Sequence, residues 1–339
     1  MELSVILATY NRGATLREAL ASLDRLSTPP NFPWELILVD NNSDDDTRQV
    51  VNEFARNCSI NVHYLFEPTQ GKSSALNTGI RNAGGKIIAF TDDDVIVDPR
   101  WLTELAAAFD KSDCLAVAGR VVPVWSEPQP DWLELEDQQA VVHFEYGDEP
   151  HEIDIPPIGA NMAFRRQIFE KYGLFRLALS SYKRRSGGTE DMEFGLRLLR
   201  AGEKLIYIPT AVIYHPVDRN RPTKKFMLRW AYRVGEKMSR ARLWPPETVT
   251  YLGVPRYLFR SAVESAVRWA TTLDAKRRFR YKLRTFRLAG EIREALRAQD
   301  SEISEVPRLG PSSDRGTRSP NVSCLASESP LRKTVENDE

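Results

Sequence analysis

An α/β fold, with a mostly parallel sheet flanked by helices, is predicted by three observations. Strand-length apolar runs alternate with amphipathic helix patterns along residues 1–120, the rhythm of parallel strands joined by crossover helices. The run Phe90-Thr91-Asp92-Asp93-Asp94-Val95 sets three acids directly after the apolar segment Ile87-Ile88-Ala89-Phe90. A buried strand that ends where its carboxylates begin has this form. Third, 339 residues suffice for one large or two modest domains with a real core. In open α/β sheets ligands bind beyond the carboxyl ends of the strands, so the triplet marks a site.

The elements follow in order. Apolar, β-branched runs predict strands at residues 3–8, 34–39, 62–66, 87–90 and 115–117. Between them, 3.6-residue periodicity predicts helices at 15–26, 46–55 and 73–83, then 100–109 after the triplet, with Ser43 or Asp44 as N-cap of the second. Residues 121–160 lose the rhythm and are rich in Pro, Trp and acids, which predicts a long insertion or loop over the sheet. A strand-like stretch at 157–164 leads into a helix at 166–172. The glycines at 187 and 188 precede a helix at 191–201, and a strand follows at 206–213. From Thr223 the pattern is helical and basic, and residues 301–339, rich in Ser, Pro and charge, are expected to be disordered.

The longest apolar runs are strand-sized, so no transmembrane helix is expected. The first strand begins almost at Met1 and leaves no room for a signal peptide. Cys58, Cys114 and Cys324 are scattered without metal or redox spacing, which suggests a reducing compartment, and a cytoplasmic location is expected. Net charge is zero, yet residues 1–223 hold 23 Lys and Arg against 33 Asp and Glu, whereas 224–300 hold 19 against 7. A basic segment joined to an acidic body suggests an anionic surface as partner.

The acid triplet suits a hard divalent cation, Mg²⁺ or Mn²⁺, shared with a ligand's phosphates; an acidic turn or helix cap would give the same letters. Ala8-Thr9-Tyr10-Asn11-Arg12 offers polar groups and one aromatic ring to a nucleobase, and Asp40 offers an acceptor to a base or ribose. Gly71-Lys72-Ser73 opens a helix, but Phe66 and Glu67 stand where a phosphate loop needs its first glycine, so a Walker motif is rejected. Lys72 remains a cation for a diphosphate. Glu190 and Asp191 sit in a helix's first turn, where the macrodipole favours acids whatever their function; a general base is the alternative. His215 follows a strand as a candidate metal ligand or a structural histidine.

Taken in order, these features resemble the family 2 glycosyltransferases over about residues 3–216. The resemblance rests on residues 5–12, 35–43 and 71–79, on Phe90 through Asp94, on Gly159-Ala160-Asn161-Met162, and on Thr189-Glu190-Asp191. It implies a GT-A fold and an inverting transfer from a nucleotide sugar, with a UDP-linked donor expected, in cell-surface polysaccharide or glycolipid synthesis. It implies that Thr9, Tyr10, Arg12 and Asp40 bind the nucleotide and that Lys72 and Asn77 line its pocket. Asp92 and Asp94 form the DxD pair, Asp94 the direct metal ligand and Asp92 nearer the sugar, with Asp93 in the variable middle position of the same donor-binding loop. Gly159 and Asn161 match a loop under the donor sugar, and His215 a third metal ligand. Asp191 matches the base, with Glu190 beside it near a saccharide or lipid-linked acceptor. The implied division is a catalytic domain over 1–222, its donor half at about 1–120 and acceptor half at about 121–222, a basic extension over 223–300, and the tail.

Two rivals are a nucleotidyltransferase that makes nucleotide sugars and a non-catalytic sugar-binding module. The first usually carries a Gly-rich basic loop after strand one, which residues 8–13 lack. In the extension, Phe226, Trp230, Tyr257, Phe259, Trp269, Phe279 and Phe286 alternate with Arg and Lys on helical periods, as in a helix lying at an anionic membrane surface. The alternative is that these stripes pack on the core. Nucleic acid is not expected as a partner. Residues 121–160 and 182–188 are expected to select the acceptor.

Overall fold

Strand β1 (Leu3–Thr9) is buried along almost its whole length and carries the apolar run Val5 to Ala8, and such a strand is stable only with both faces covered. In the computed structural model it lies inside the sheet, between β2 (Trp34–Asp40) and β4 (Ile87–Asp92), parallel to both. The structure describes residues 2–133, 142–179, 189–219, 221–241, 244, 247–297 and 307–309. Helix α1 (Gly13–Asp24) crosses from β1 to β2, α2 (Thr47–Asn57) from β2 to β3 (Val62–Phe66), and α3 (Lys72–Asn82) from β3 back to β4. The strand order 3-2-1-4 therefore reverses beside β1, the switch point at which such sheets open a crevice.

Beyond β4 the pairing changes. After the short β5 (Ile96–Val97) and α4 (Trp101–Lys111) come β6 (Ala116–Val124), β7 (His151–Ile153) and β8 (Met162–Arg165). Helices α5 (Gln167–Tyr172) and α6 (Glu190–Arg200) and strand β9 (Leu205–Pro216) follow. Strand β8 inserts antiparallel between β4 and β6; β9 runs parallel to β6, and β5 and β7 pair antiparallel with it. The β3-β2-β1-β4 half of the sheet is wholly parallel and the other half mixed.

Two loop expectations are corrected here. Residues 121–124 continue β6 because Val121 and Val122 pair with Ile213 and Tyr214, and β7 adds a further strand within 121–160. Part of the tail docks as well: Leu174 N–H donates to Pro307 C=O at 2.7 Å, and Leu309 packs on the main core. Residues 134–141, the 182–188 loop and most of the tail lie outside the described residues.

Register fixes the site. Thr9 lies opposite Asp40, and Ala8 opposite Asp92, so the loops after β1, β2 and β4 leave the sheet at one level. Behind that level Phe90, Phe164, Phe169, Phe175 and Phe194 pack together, with Phe194 of α6 stacked on Phe169 at 5.3 Å. Truncating one such ring costs about 3–5 kcal/mol, so α6 is held firmly over the end of β4.

The basic segment forms α7 (Lys224–Arg240), a hairpin of β10 (Thr250–Tyr251) and β11 (Val254–Pro255), α8 (Arg256–Thr271) and α9 (Ala275–Arg297). Helices α7 and α9 cross backbone to backbone: a Cβ on Gly235 would sit 1.9 Å from Arg287 C=O, and one on Gly290 2.1 Å from Tyr232 C=O. Met227 and Ala231 of α7 and Phe279 and Leu283 of α9 join Leu133 and Val217 in a second core, with Phe226 and Trp230 against it. Those aromatic rings are thus spent on packing. Helix α8 buries Leu258 and Ser265 but exposes Phe259, Val263 and Val267, one stripe at i, i+4, i+8.

Candidate active site

The loops after β1 and β2 are stapled together. Asn11, in the left-handed region at φ 49°, donates its N–H to Ser43 Oγ at 3.0 Å and accepts from Asp44 N–H at 2.8 Å. Gly13 N–H donates to Asp45. The sequence expectation of Ser43 or Asp44 as the α2 cap is therefore corrected. The cap position is Asp46, and Asp45 receives the Thr47 N–H. Asp40 is buried, accepting from Ser43 N–H at 2.9 Å and Tyr64 O–H at 2.7 Å. Its carboxylate anchors the loop, leaving only spare lone pairs for a nucleoside. Asn41 pins the next loop: its Oδ1 accepts from Gly71 N–H and its Nδ2 donates to the carbonyls of Glu67 and Thr69. Gly71, at φ 139°, needs to be glycine there.

At the end of β1, Tyr10 is half-buried and Thr9 donates to Asp93 Oδ2 at 2.7 Å. Asp93 is turned inward and burial pushes its carboxyl up to about 6, although Arg12 opposes this. It holds Thr9 and Arg12, a scaffold contact rather than a wall of the crevice. Arg12 Nη1 bridges Asp93 at 2.8 Å and Asp94 at 2.7 Å. Lys72, at the start of α3, pairs with Asp92, and its ammonium is held above the usual range because Asp92, Glu190 and Asp191 outweigh its burial.

The donor atoms fit a divalent cation at one pair. His215 Nδ1 lies 3.0 Å from Pro216 C=O, which can only accept, so the proton is on Nδ1 and Nε2 carries a lone pair. Burial lowers the imidazole further. Nε2 faces Asp94 Oδ1 across 3.6 Å, so two acceptors confront each other where a cation would satisfy both. Burial pushes the Asp94 carboxyl up, yet Arg12 and Arg221 hold it below the ordinary range, and His215 adds to that pull only when its ring is protonated. Asp92 is turned toward Lys72 instead, and no three-ligand cluster is assembled among the described residues.

Across the crevice, α6 brings in the second acid set. Asp191 accepts from Gly159 N–H at 2.8 Å and from Met192 N–H at 2.8 Å. A Cβ on Gly159 would lie 3.1 Å from Asp191 Oδ2, which places that glycine as a donor to Asp191. Burial raises Asp191, and burial plus the neighbouring Asp191 charge push Glu190 up to about 7. Glu190 Oε2 is buried with no hydrogen-bond partner among the described residues.

Two expected pocket residues are corrected. Asn77 is buried, donating to Phe175 C=O at 2.8 Å and accepting from Phe175 N–H at 3.0 Å. It clamps the chain ahead of α6, which takes up its amide. Asn161 is buried beside the irregular register between β6 and β9, where it donates to the carbonyls of Arg120 and Ala211 and accepts from Trp101 Nε1–H. Sequence reasoning also passed over Asn41, Arg221 and Lys237. Asn41 lay in a motif with no sign of its partner, Arg221 in a stretch assigned no element, and Lys237 in a helix read as lying at a membrane surface.

The model of the glycosyl transferase family 2 matches residues 4–173, half of the chain. The chain belongs to this family. It is a glycosyltransferase, and the mixed sheet is that of GT-A enzymes. It is 26% identical over 241 residues to the succinoglycan biosynthesis protein ExoM of Rhizobium meliloti, covering 71% of this chain and 75% of that one. It is 24% identical over 226 residues to a glucosyl-dolichyl phosphate glucuronosyltransferase of Haloferax volcanii, covering 65% and 71%. The mannosyltransferase PcManGT of Pyrobaculum calidifontis, solved with GDP-Man and Mn²⁺, superposes with TM-score 0.57 at 20% identity over 89% of this glycosyltransferase and 88% of its own chain. S. aureus TarS 1-349 with UDP-GlcNAc gives TM-score 0.52 at 16% identity, covering 86% and 91%. Those structures share the fold.

Proposed function

We propose that this glycosyltransferase moves one sugar per event, with inversion, from a nucleotide-sugar donor to a hydroxyl of a saccharide or lipid-linked acceptor in cell-surface polysaccharide or glycolipid synthesis. The supporting observation is the meeting of two acid sets, Asp92–Asp94 beyond β4 and Glu190–Asp191 opening α6, with Lys72 between them. Residues 1–222 form the catalytic unit in this reading, about 1–120 for the donor and 121–222 for the acceptor, and 223–300 the extension. A UDP-linked donor is the first expectation, because TarS was solved with UDP-GlcNAc; GDP-Man in PcManGT makes guanosine donors the comparison.

Thr9, Tyr10 and Asp40 frame the nucleoside, and Arg12 and Lys72 meet the diphosphate. Asp94 and His215, with Asp92 nearby, would hold Mn²⁺ or Mg²⁺, which when bound supplies Lewis-acid stabilisation of the departing nucleotide. Asp191 takes the acceptor hydroxyl's proton as the new C–O bond forms and the bond to the diphosphate breaks. Attack from the face opposite the leaving group inverts the anomeric carbon. Thermal stabilisation by nucleotides and nucleotide sugars, each with and without Mn²⁺ or Mg²⁺, tests the donor site. Metal-dependent stabilisation by one nucleotide, lost in Asp94→Ala, supports it; no shift with any ligand points to a different function. Asp191→Asn is expected to keep the donor shift and lose transfer.

The membrane reading now rests on α8. No helix among the described residues is long and apolar enough to cross a membrane. Phe259, Val263 and Val267, with Tyr251 and Leu252 of the hairpin, are exposed beside Arg256, Arg260 and Arg268. That pairing of apolar and basic groups suits the interface of an anionic bilayer. Flotation with vesicles containing phosphatidylglycerol is expected at low salt and lost in Val263→Asp/Val267→Asp; no flotation of the native protein refutes it.

A further inference from the structure

Helix α7 belongs to the basic extension, yet one of its side chains reaches the acid pair of α6. Lys237 Nζ is buried and has no hydrogen-bond partner among the described residues. A buried ammonium left without an acceptor is costly, and such groups are retained where something else completes them. The charges that act on it favourably are Glu190 and Asp191, with Arg233 and Arg240 opposing. Glu190 Oε2 is the matching orphan: buried, anionic when ionised, and equally without a partner. Glu190 itself is only 4% exposed. Among the described residues, no ion pair joins Lys237 to either acid. Lys237 and Glu190 therefore act on each other electrostatically while Nζ and Oε2 stay buried and unpaired, each with unused hydrogen-bonding capacity.

A hydroxyl group would complete both atoms, since it accepts from an ammonium and donates to a carboxylate at the same time. Water would serve one such position, but the place is beside Asp191, where the acceptor's hydroxyl must lie. We propose that Lys237 and Glu190 form an acceptor subsite that grips a saccharide hydroxyl next to the one Asp191 deprotonates. The proposal rests on the reading of Asp191 as base and extends it to the chemistry of the ligand, a neutral vicinal diol. It also gives the extension a role inside the site: α7, fixed by its glycine crossing with α9, supplies one wall of the acceptor crevice. Lys72 approaches the same acids from the donor side. Glu190 and Asp191 thus lie between two lysines, one for each substrate.

The test uses methyl glycosides of glucose, galactose, mannose and N-acetylglucosamine as probes, observed by saturation-transfer NMR on the full chain with its stabilising nucleotide. The native protein is expected to bind at least one. Lys237→Met is expected to weaken that glycoside about tenfold or more, the loss expected for one charged hydrogen bond. Lys237→Arg is expected to recover part of it. Nucleotide stabilisation of Lys237→Met should match the native protein, and its melting temperature should not fall, because an unpartnered buried charge has been removed. No glycoside bound by the native protein, or equal binding by Lys237→Met, overturns the proposal. Failure of the nucleotide to stabilise the native protein strikes the donor-site reading instead.

Discussion

Replacing Glu190 by glutamine removes the side chain in the site whose protonation is expected to change closest to neutrality. Its carboxyl is pushed from 4.5 to about 7 by burial and by the adjacent Asp191, with Lys72 and Lys237 pulling it back down. A folded-state value above the unfolded one means the native state holds the proton more tightly. The associated stability is fully present below about 4.5 and is lost as pH rises through about 7. The rise from 4.5 to about 7, at about 1.4 kcal/mol for each tenfold change in proton affinity, sets the effect at roughly 3–4 kcal/mol. Glu190→Gln keeps the shape, removes the charge, and offers an amide N–H to Asp191. It should therefore match the native protein at pH 4.5 and exceed it by up to about 3–4 kcal/mol at pH 8, roughly 5 °C in Tm for a chain of this size. Urea denaturation of both proteins across that range reads the difference directly. Parallel pH curves would show that Glu190 is not held protonated, and the argument from burial would be wrong.

Other perturbations separate scaffold from site. Gly235→Ala should destabilise by about 3 kcal/mol or more, because the new methyl meets the Arg287 carbonyl rather than a movable side chain; denaturation with unchanged nucleotide affinity per folded molecule checks this. Asn161→Ala leaves the buried carbonyls of Arg120 and Ala211 without their donor and should cost about 2–4 kcal/mol in urea melts, while the nucleotide still stabilises what folds. His215→Ala removes a buried ring and should cost about 1–3 kcal/mol in the absence of metal, and it should abolish the Mn²⁺-dependent part of the nucleotide shift in thermal melts. An unchanged Mn²⁺ dependence would remove His215 from the ligand set.

Much of the scaffold was legible because its signals are local. Continuous apolar runs located β1, β2 and β4 within a residue or two, and α1, α2 and α3 follow from period alone. The acids Asp92, Asp94, Glu190 and Asp191 were legible as a set because each stands at an element's end. What the letters did not hold is which side of an amide or carboxylate faces the crevice. Asn77 and Asn161 sit in the right motifs but spend their amides on Phe175 and on the β6–β9 irregularity, pairings made by residues 40 to almost 100 positions away. Asp93 shares its triplet with two crevice acids yet, in the turn that follows β4, faces inward to Thr9 and Arg12. Lys237 was invisible for a related reason. A basic amphipathic helix shows which face is apolar, not that one lysine on it will meet two carboxylates from α6.

Charge balance gives an independent reason to expect a divalent ion at Asp94 and His215. Five carboxylates gather here, Asp92, Asp93, Asp94, Glu190 and Asp191, and the cations acting on them are Arg12, Lys72, Arg221 and Lys237. Partial protonation of Asp93 and Glu190 brings the two sides close to parity. A nucleotide diphosphate then adds at least two negative charges to a crevice with no surplus of positive ones. Arg12 and Lys72 meet that diphosphate only by loosening their hold on Asp94 and Asp92, which leaves those carboxylates short of counter-charge. A divalent ion held by Asp94 and His215 would restore the balance at the point where it is lost. Nucleotide and metal should accordingly bind with positive coupling, each tightening the other by the same factor, as linkage requires of any two ligands that relieve one another's electrostatic cost.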